Sequence, residues 1–400
     1  MAHLSQRIKR ISVSQTLAMS QRSKELRDKG IDIIDMSVGQ PDFPTPPHIK
    51  QAAKDAIDKN FTFYTPVAGY SDLRDAIVNK LKQENKLDYA RENIVVSNGA
   101  KQALANTVLT LIDKDDEILV PTPFWVSYKE LINLAEGKVT KLETNISNQY
   151  KVTAKQIEEA ITPNSRILIY SSPSNPSGSI YSKQELSDIA DVIAKHENLF
   201  VISDEIYEHI NYIGKHESIA QFEKIKDRVI LINGMSKGYA MTGWRLGYMA
   251  APKWIADSCI KLQGQYTSGA GSISQKAALA ALTGDNIYTL GMNQAFRERR
   301  DLTVELMKDI PGFKTYIPEG AFYIFPDVKE CFGKGNAYIT IKNASDLSMY
   351  LLNEAHVAAV PGTAFGNPDC IRFSFALGKE KLITAMQRIK DAMENLTESN

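Results

Sequence analysis

The stretch from Val229 to Gly247, VILINGMSKGYAMTGWRLG, decides the fold of this chain. Its first four residues are apolar, which is typical of a strand buried on both faces. The strand then breaks into a loop in which glycines flank Lys237. Since burying an unpaired ammonium group is costly, Lys237 is either a surface lysine or a desolvated amine with a lowered pKa that can form a Schiff base. In the second case, Ser236 and Arg245 would bind an anion such as a phosphate.

Short apolar segments alternate with helical patterns along most of the chain. The predicted strands cover residues 93–96, 117–120, 166–170, 199–203, 229–232 and 247–251. The predicted helices cover residues 17–29, 46–58, 71–84, 101–112, 125–135, 183–195, 288–309 and 379–396. This alternation predicts an α/β fold in which a mostly parallel central sheet lies between layers of helices.

Thr45 is expected to be the N-cap of the helix at 46–58, with Pro46 at its first position, and Ser182 and Glu185 are expected to form a capping box at 183–195. The last helix is expected to bury one apolar face, formed by Leu382, Met386, Ile389 and Met393.

The pattern changes after Asp285, where a long helix is followed by short strands around 321–326 and 370–376 and by a final helix. These elements predict a second, smaller α+β domain. A short strand over 31–36 precedes the parallel series, so the opening residues are expected to join the small domain. The predicted division is therefore an N-terminal arm and part of the small domain at 1–45, a large domain at 46–285 and the rest of the small domain at 286–400.

The composition gives no support for nucleic acid or a membrane as a binding partner. Lysines and arginines number 47, as do aspartates and glutamates, and this balance does not favour binding to nucleic acid or to an anionic membrane. We find no signal-peptide pattern and no apolar run long enough to span a bilayer, which predicts a cytoplasmic protein. The three cysteines are widely spaced and are expected to be buried free thiols rather than disulfides or zinc ligands.

Polar residues follow several predicted strands, at the edge where open parallel sheets bind their ligands. Residues 97–101 form a glycine loop that opens a helix, which is a ready anion site. Asp204 ends a buried strand, and such a carboxylate needs a cationic partner. Trp125 is either ordinary core or a flat face on which a ring stacks. Alternation sets Arg372 opposite its apolar neighbours, so it faces either solvent or a cleft.

Five motifs occur in the order in which one known family has them. They are Asn-Pro-x-Gly at 175–178, Asp-x-x-Tyr at 204–207, Ser-Lys at 236–237, Gly-x-Arg-x-Gly at 243–247 and Arg-x-Ser at 372–374. Together they resemble the class I aminotransferases, which are pyridoxal phosphate enzymes of fold type I, and the resemblance covers essentially the whole chain. Residues 97–104, 125–128 and 240–245 are similar to the bacterial aspartate aminotransferase subgroup that includes prephenate aminotransferases. The segment 11–16 departs from that subgroup, which usually has a proline before the serine.

The resemblance implies a role for each motif residue in binding pyridoxal 5′-phosphate. Lys237 would hold the cofactor aldehyde as an imine and then act as the base that moves a proton from the substrate α-carbon to C4′. Asp204 would keep the pyridine nitrogen protonated. The other implied contacts are Asn175 and Tyr207 to the phenolic oxygen, Trp125 stacked on the ring, and Ala100, Lys101, Ser236 and Arg245 to the phosphate. Tyr64 and Thr267 would reach the phosphate of a neighbouring subunit, which implies a homodimer.

The resemblance also implies how the substrate is bound. Arg372 would bind the α-carboxylate bidentately, the loop at Gly39 would close over the substrate, and the Lys101 side chain would meet a distal carboxylate. We therefore predict an aminotransferase for aspartate or glutamate and a 2-oxo acid. The alternatives are a prephenate, aromatic or kynurenine-type aminotransferase, a C–S lyase using the same lysine, or a regulator that retains only the fold. The complete set of Lys237, Asp204, Arg245 and Arg372 argues against the last of these.

Overall fold

The structure is a computed structural model that describes residues 4–336 and 338–398. Its strands are β1 Ile34–Asp35, β2 Ile94–Ser97, β3 Glu117–Pro121, β4 Lys138–Leu142, β5 Ser165–Ser171, β6 Phe200–Asp204, β7 Val229–Gly234, β8 Gly247–Ala250, β9 Tyr323–Ile324, β10 Lys334–Gly335, β11 Val357–Ala358, β12 Val360–Pro361, β13 Ile371–Ser374 and β14 Thr397–Glu398. Its α-helices are α1 Gln6–Lys9, α2 Gln15–Asp28, α3 Pro47–Asp58, α4 Ser71–Lys80, α5 Ala100–Leu111, α6 Ser127–Leu134, α7 Ala154–Ala160, α8 Lys183–Ala194, α9 Lys253–Tyr266, α10 Ser272–Thr283, α11 Ile287–Met307, α12 Ala344–Glu354 and α13 Lys379–Glu394.

A seven-stranded sheet forms the centre of the fold, in the order β2-β8-β7-β6-β5-β3-β4. Its neighbouring strands pair in parallel except that β8 is antiparallel to both β2 and β7. Every residue of β7 is buried. Val229 and Leu231 pack into one hydrophobic core, and Ile230 and Ile232 pack into a second one. Because successive side chains of a strand point to opposite faces, this strand is covered on both sides, and the predicted mostly parallel sheet between helices is confirmed.

A separate hydrophobic core forms around α11, α12, α13 and the small three-stranded sheet β12-β13-β9. The predicted apolar face of the last helix packs into this core, with Leu382, Met386, Ile389 and Met393 all buried. The short strand β1 pairs in parallel with β11, which joins the start of the chain to its C-terminal part. The domain boundaries at residues 45 and 285 stay a prediction.

The start of α3 differs from its prediction. Thr45 was expected to cap a helix starting at Pro46, but the helix begins at Pro47 and Pro46 occupies the N-cap. The Thr45 hydroxyl instead donates to the Ala240 carbonyl at 2.6 Å and accepts from the Trp244 indole at 3.0 Å. Thr45 therefore makes tertiary hydrogen bonds instead of the N-cap hydrogen bond that the local sequence predicts.

The helix predicted over 71–84 also differs, because α4 ends at Lys80 and continues as a π-helix over Leu81–Asn85. Several regular elements were not predicted, among them β4, α7, α9, α10 and α12. The edge strand β4 is half exposed and carries polar residues, so it lacks the continuous apolar run that marked the central strands. Helix α7 has only seven residues, which is too short for a clear period.

The three cysteines are buried and free, as predicted. The capping box predicted at the start of α8 is present, with Ser182 and Glu185 bonded reciprocally. Among the described residues, the structure contains no helix with the length and apolarity needed to cross a membrane.

Candidate active site

A cavity of about 300 Å³ lies at the carboxyl ends of β2, β5, β6 and β7. It is lined by all the predicted site residues except Tyr64 and Thr267: Gly39, Ala100, Lys101, Trp125, Asn175, Asp204, Tyr207, Ser236, Lys237, Arg245 and Arg372. These residues come from distant parts of the chain, and the parallel topology brings their strand ends to one edge. The cavity is therefore the candidate active site.

Lys237 lies three residues after the last residue of β7 and points into the cavity. Its Nζ donates to the Gly39 carbonyl at 2.6 Å. Burial lowers the pKa of Lys237 to about 7, helped by the neighbouring charges of Arg372 and Arg245 and opposed by Asp204. A large fraction of this amine is therefore neutral and nucleophilic at neutral pH. This environment favours the desolvated amine over the surface lysine.

Asp204 ends β6 and is 4% exposed. Its Oδ2 accepts from the Tyr128 hydroxyl at 2.7 Å, and its Oδ1 accepts from the Ile206 backbone N–H at 3.3 Å. Burial raises the pKa of Asp204 to about 6, although both hydrogen bonds and the charge of Lys237 act in the opposite direction. A cationic ligand group beside this carboxylate would favour its ionised form.

The N-terminus of α5 forms the anion-binding side of the cavity. Gly99 precedes this helix with a φ of +83°, and a Cβ built on it would lie 2.5 Å from Arg245 Nη2. A Cβ on Gly247 would collide with the Ala100 backbone nitrogen. The two glycines thus allow the guanidinium and the first helical amides to approach each other closely. Since backbone N–H groups and the helix dipole attract anions, this geometry suits a phosphate.

Arg372 is 2% exposed and points into the cavity, so the solvent-facing alternative is wrong. Its Nη1 donates to Asn175 Oδ1 at 3.0 Å and its Nη2 to the Ser37 carbonyl at 2.6 Å. The buried Nε has no hydrogen-bond partner among the described residues. The Tyr323 ring lies against the guanidinium at 4.6 Å, and the Tyr323 hydroxyl is 2.7 Å from that of Tyr207.

Lys101 and Trp125 form another part of the cavity wall. The Lys101 Nζ lies 5.0 Å from the centre of the Trp125 ring, within the range of a cation–π contact. Burial and the charge of Arg245 lower the pKa of Lys101. The ammonium is thus held at the cavity wall, where a negative ligand group would stabilise it.

Tyr64 and Thr267 do not line the cavity of their own chain. The Tyr64 side chain is 97% exposed. The Thr267 hydroxyl accepts from the side chain of Gln102, a buried residue of α5. The structure therefore leaves both residues separate from the other predicted contacts within one subunit.

Several cavity residues were not predicted from the sequence. They are Ser14, Thr16, Leu17, Val38, Gln40, Leu104, Val126, Ser127, Ser171, Ile206, Thr242 and Tyr323, with Tyr128 behind Asp204. Tyr128 belongs to the segment 125–128 that resembles the aspartate aminotransferase subgroup. Its position three residues after Trp125 was the only sequence signal that it could lie near the site. Tyr323 has no local signal, because it contacts Tyr207 across 116 residues of sequence.

Comparison with known proteins assigns this fold and site to a family. The family profile described as aminotransferase class I and II matches residues 31–389. An aspartate/prephenate aminotransferase from Nitrosomonas europaea is 42% identical over 96% of this chain and 98% of its own. A bifunctional aspartate aminotransferase and glutamate/aspartate-prephenate aminotransferase from Petunia hybrida is 45% identical over 98% of this chain and 82% of its own.

Solved structures agree with this result. The aspartate aminotransferase of Rhizobium meliloti superposes with a TM-score of 0.96 at 38% identity, covering 99% of this chain and 100% of its own. The aspartate aminotransferase of Thermus thermophilus, solved with maleate, superposes with a TM-score of 0.93 at 35% identity, covering 98% of this chain and 100% of its own. The fold and site therefore define a transaminase of fold type I. The chain belongs to the class I and II aminotransferases and moves an amino group between an amino acid and a 2-oxo acid.

Proposed function

We propose that this transaminase binds pyridoxal 5′-phosphate in the cavity and links it to Lys237. The observation that carries the proposal is the Lys237 amine, whose pKa is lowered to about 7 beside Asp204 and an anion-binding helix terminus. When bound, this cofactor supplies an aldehyde that links to amino groups and a ring that accepts electrons from the substrate α-carbon.

The residues present suit the phosphate of this cofactor. The N–H groups of Ala100 and Lys101, the Ser236 hydroxyl and the Arg245 guanidinium are proposed to hold it. Ser236 is 7% exposed and lines the cavity beside Lys237. The close approach of Arg245 to Gly99 supports this assignment, because a side chain at that position would fill the space beside the guanidinium.

The residues on the other side suit the ring. Asp204 is proposed to pair with the pyridine nitrogen, since its two hydrogen-bond donors within the chain are neutral and a ring N–H⁺ would complete its neutralisation. The amide of Asn175 and the hydroxyl of Tyr207 are proposed to donate to the phenolic oxygen, and Trp125 to stack on the ring. Once its amine is released, Lys237 is proposed to take the proton from the substrate α-carbon.

Arg372 is proposed to bind the substrate α-carboxylate. Its Nε is buried and unpartnered among the described residues, and an unmade charged hydrogen bond is costly unless a ligand completes it. The Asn175 and Ser37 contacts fix the plane of the guanidinium, which suits bidentate recognition. The Gly39 carbonyl, now bonded to Lys237, is proposed to border the bound substrate.

We also propose that the enzyme acts as a homodimer, in which Tyr64 and Thr267 reach the phosphate site of the neighbouring subunit. The exposure of the Tyr64 ring supports this proposal, because the ring is 97% exposed in its own chain. The cytoplasmic location stays a prediction.

The proposed substrates are aspartate or glutamate with a 2-oxo acid, with prephenate as an acceptor of the same charge class. The Lys101 ammonium supports this choice, since Lys101 and Arg372 both line the cavity and burial lowers the pKa of Lys101. A dicarboxylic substrate would then have a cation for each carboxylate. The names of the relatives above are consistent with it.

Linkage of the cofactor to Lys237 is tested by borohydride reduction of the purified protein followed by mass mapping. We expect the reduced cofactor on the peptide that contains Lys237. Because only the neutral amine adds to an aldehyde, we expect attachment of added pyridoxal phosphate to cofactor-free protein to accelerate as the pH rises through about 7, the pKa of Lys237. A label mapped to another lysine would reject the proposed site.

Lys101→Ala tests the substrate assignment. We expect kcat/KM for aspartate and glutamate to fall. The corresponding loss of transition-state stabilisation should be about 1.5–3 kcal/mol, the scale of a hydrogen bond to a charged group. Phenylalanine and alanine, which lack the distal carboxylate, should lose little. The Lys101 backbone amide remains in the variant, so the cofactor dissociation constant should stay close to that of the wild type.

The matched control is Lys129→Ala, which removes a lysine of α6 that does not line this cavity. It should leave all four substrates unaffected. Equal losses on aspartate and phenylalanine in Lys101→Ala would contradict the specificity role.

A further inference from the structure

We propose that Tyr128 is a positioning residue for the transamination site, whose hydroxyl fixes the orientation of Asp204 and keeps that carboxylate ionised. The inference rests on the proposed function, in which Asp204 meets the pyridine nitrogen, and extends it to a residue that does not line the cavity.

The geometry is specific on both sides of the contact. Tyr128 is the second residue of α6 and is 1% exposed. Its hydroxyl donates to Asp204 Oδ2 at 2.7 Å, while the Ile206 N–H at 3.3 Å serves Oδ1. Each oxygen of the carboxylate thus has one donor from the chain, and the side chain cannot rotate without losing both bonds.

The direction of the hydrogen bond determines its electrostatic effect. Burial, and to a smaller extent the charge of Asp204, raises the pKa of Tyr128 well above its usual range. The phenol therefore stays protonated and can only donate to the carboxylate. A donor favours the charged form of an acid. Asp204 needs this help, because burial has already brought its pKa to about 6. Without the Tyr128 hydroxyl, more of the carboxyl would be protonated at neutral pH and unable to pair with a ring N–H⁺.

The surroundings of Tyr128 make Tyr128→Phe a mild substitution. The Tyr128 ring packs edge-on against Trp125, with ring centres 5.6 Å apart at 88°. Phenylalanine keeps this contact and the buried volume, so only the hydroxyl is removed. Any change in the protonation of Asp204 can then be assigned to the lost hydroxyl, which also makes a hydrogen bond to the Ser171 side chain.

Another buried tyrosine provides a matched control. The Tyr181 ring is 4% exposed, and its hydroxyl accepts from the Val152 N–H at 3.0 Å. Tyr181→Phe therefore also removes one buried hydrogen bond, at a place that touches none of the proposed cofactor or substrate residues. A purely structural role for Tyr128 predicts that the two variants behave alike.

The first measurement is a ¹³C NMR titration of aspartate carboxyl groups in the full chain without added cofactor, with the Asp204 signal assigned by its loss in Asp204→Asn. We expect its midpoint, near pH 6 in the wild type, to rise by about one pH unit in Tyr128→Phe, the shift that corresponds to one hydrogen bond. The midpoint should not move in Tyr181→Phe. An unchanged midpoint in Tyr128→Phe, or equal shifts in both variants, would overturn the proposal.

The second measurement uses the cofactor-loaded enzyme. In Tyr128→Phe we expect the acidic limb of the kcat/KM profile to move to higher pH, with a larger loss at pH 6 than at pH 8, whereas Tyr181→Phe should keep the wild-type profile. A loss in Tyr128→Phe that is equal at all pH values would also overturn the proposal. Failure of the proposed function is distinguishable, since borohydride mapping reports on Lys237 and the NMR titration needs no cofactor.

Discussion

Lys237→Ala is expected to lose nearly all transaminase turnover while the protein still binds pyridoxal phosphate. A positioned base contributes about 10²–10⁴-fold to a proton transfer, and the variant also loses the amine that links the cofactor. The phosphate contacts proposed for Arg245, Ser236 and the start of α5 do not involve this side chain. The measurement is kcat with aspartate and a 2-oxo acid at saturating cofactor, together with equilibrium binding of the cofactor.

Two further variants separate the base from the charge. Lys237→Arg keeps a cation but cannot lose its proton at neutral pH, so it should be as inactive as the alanine variant. Lys253→Ala removes a lysine that pairs with Asp257 on the surface of α9, and it should keep full activity. A kcat within tenfold of the wild type in Lys237→Ala would remove Lys237 from the chemistry.

The residues that could be predicted from the sequence are those whose role follows from a strand end. Lys237 and Asp204 each follow or end a continuous apolar run, and parallel strands bring such ends together. The mostly parallel sheet was predictable for the same reason. The helix starts were predicted less well, since at Thr45 a tertiary contact with Ala240 outweighs the local preference for an N-cap.

Contacts that depend on long-range register could not be predicted from the sequence alone. Gly99 approaches Arg245 because β2 pairs antiparallel with β8, which sets Ser97 opposite Gly247. No local pattern reveals that register, since β8 could equally have continued the parallel series. The Tyr128 contact with Asp204 likewise joins two strand-end segments 76 residues apart. The motifs identify the site residues, but the order and register of the strands determine which of these residues are in contact.

The buried ion pair between Lys80 and Glu208 could also not be predicted from the sequence patterns. Lys80 at the end of α4 pairs with Glu208, and the two side chains are 2% and 4% exposed. Burial alone would raise the pKa of Glu208, but the charges of Lys80, His209 and His216 outweigh it and hold that pKa well below its usual range. The π-helix over Leu81–Asn85 brings the Asn85 amide to the same carboxylate at 2.8 Å.

This network reaches the strand that leads to Lys237. Glu208 Oε1 also accepts from the Asn233 side chain at 2.7 Å, and Asn233 Oδ1 accepts from the Gly234 N–H. The carboxylate therefore holds together the end of α4 and the end of β7. Removing its charge would leave the buried Lys80 ammonium with only the half-exposed Glu84 carboxylate, 3.6 Å away, as a counter-ion.

Glu208→Gln is therefore expected to lower the free energy of unfolding by about 3–5 kcal/mol, the cost of breaking a buried pair from one side. The measurement is denaturant unfolding at pH 7. The matched control is Asp191→Asn, which breaks a surface pair with Lys224 whose side chains are 63% and 36% exposed and should cost less than about 1 kcal/mol. The double variant Lys80→Met/Glu208→Gln removes both charges and should recover much of the loss.

The pH dependence of this loss identifies the charge as its cause. A carboxylate whose folded pKa is depressed stabilises the protein above its unfolded pKa, about 4.3 for glutamate, and this stabilisation is lost as the pH falls below that value. The free energy of unfolding of Glu208→Gln should therefore lie furthest below that of the wild type at pH 7, and this difference should shrink below about pH 4. A difference that stays constant down to pH 3, or a double variant no more stable than Glu208→Gln, would mean that packing rather than the buried charge accounts for the loss.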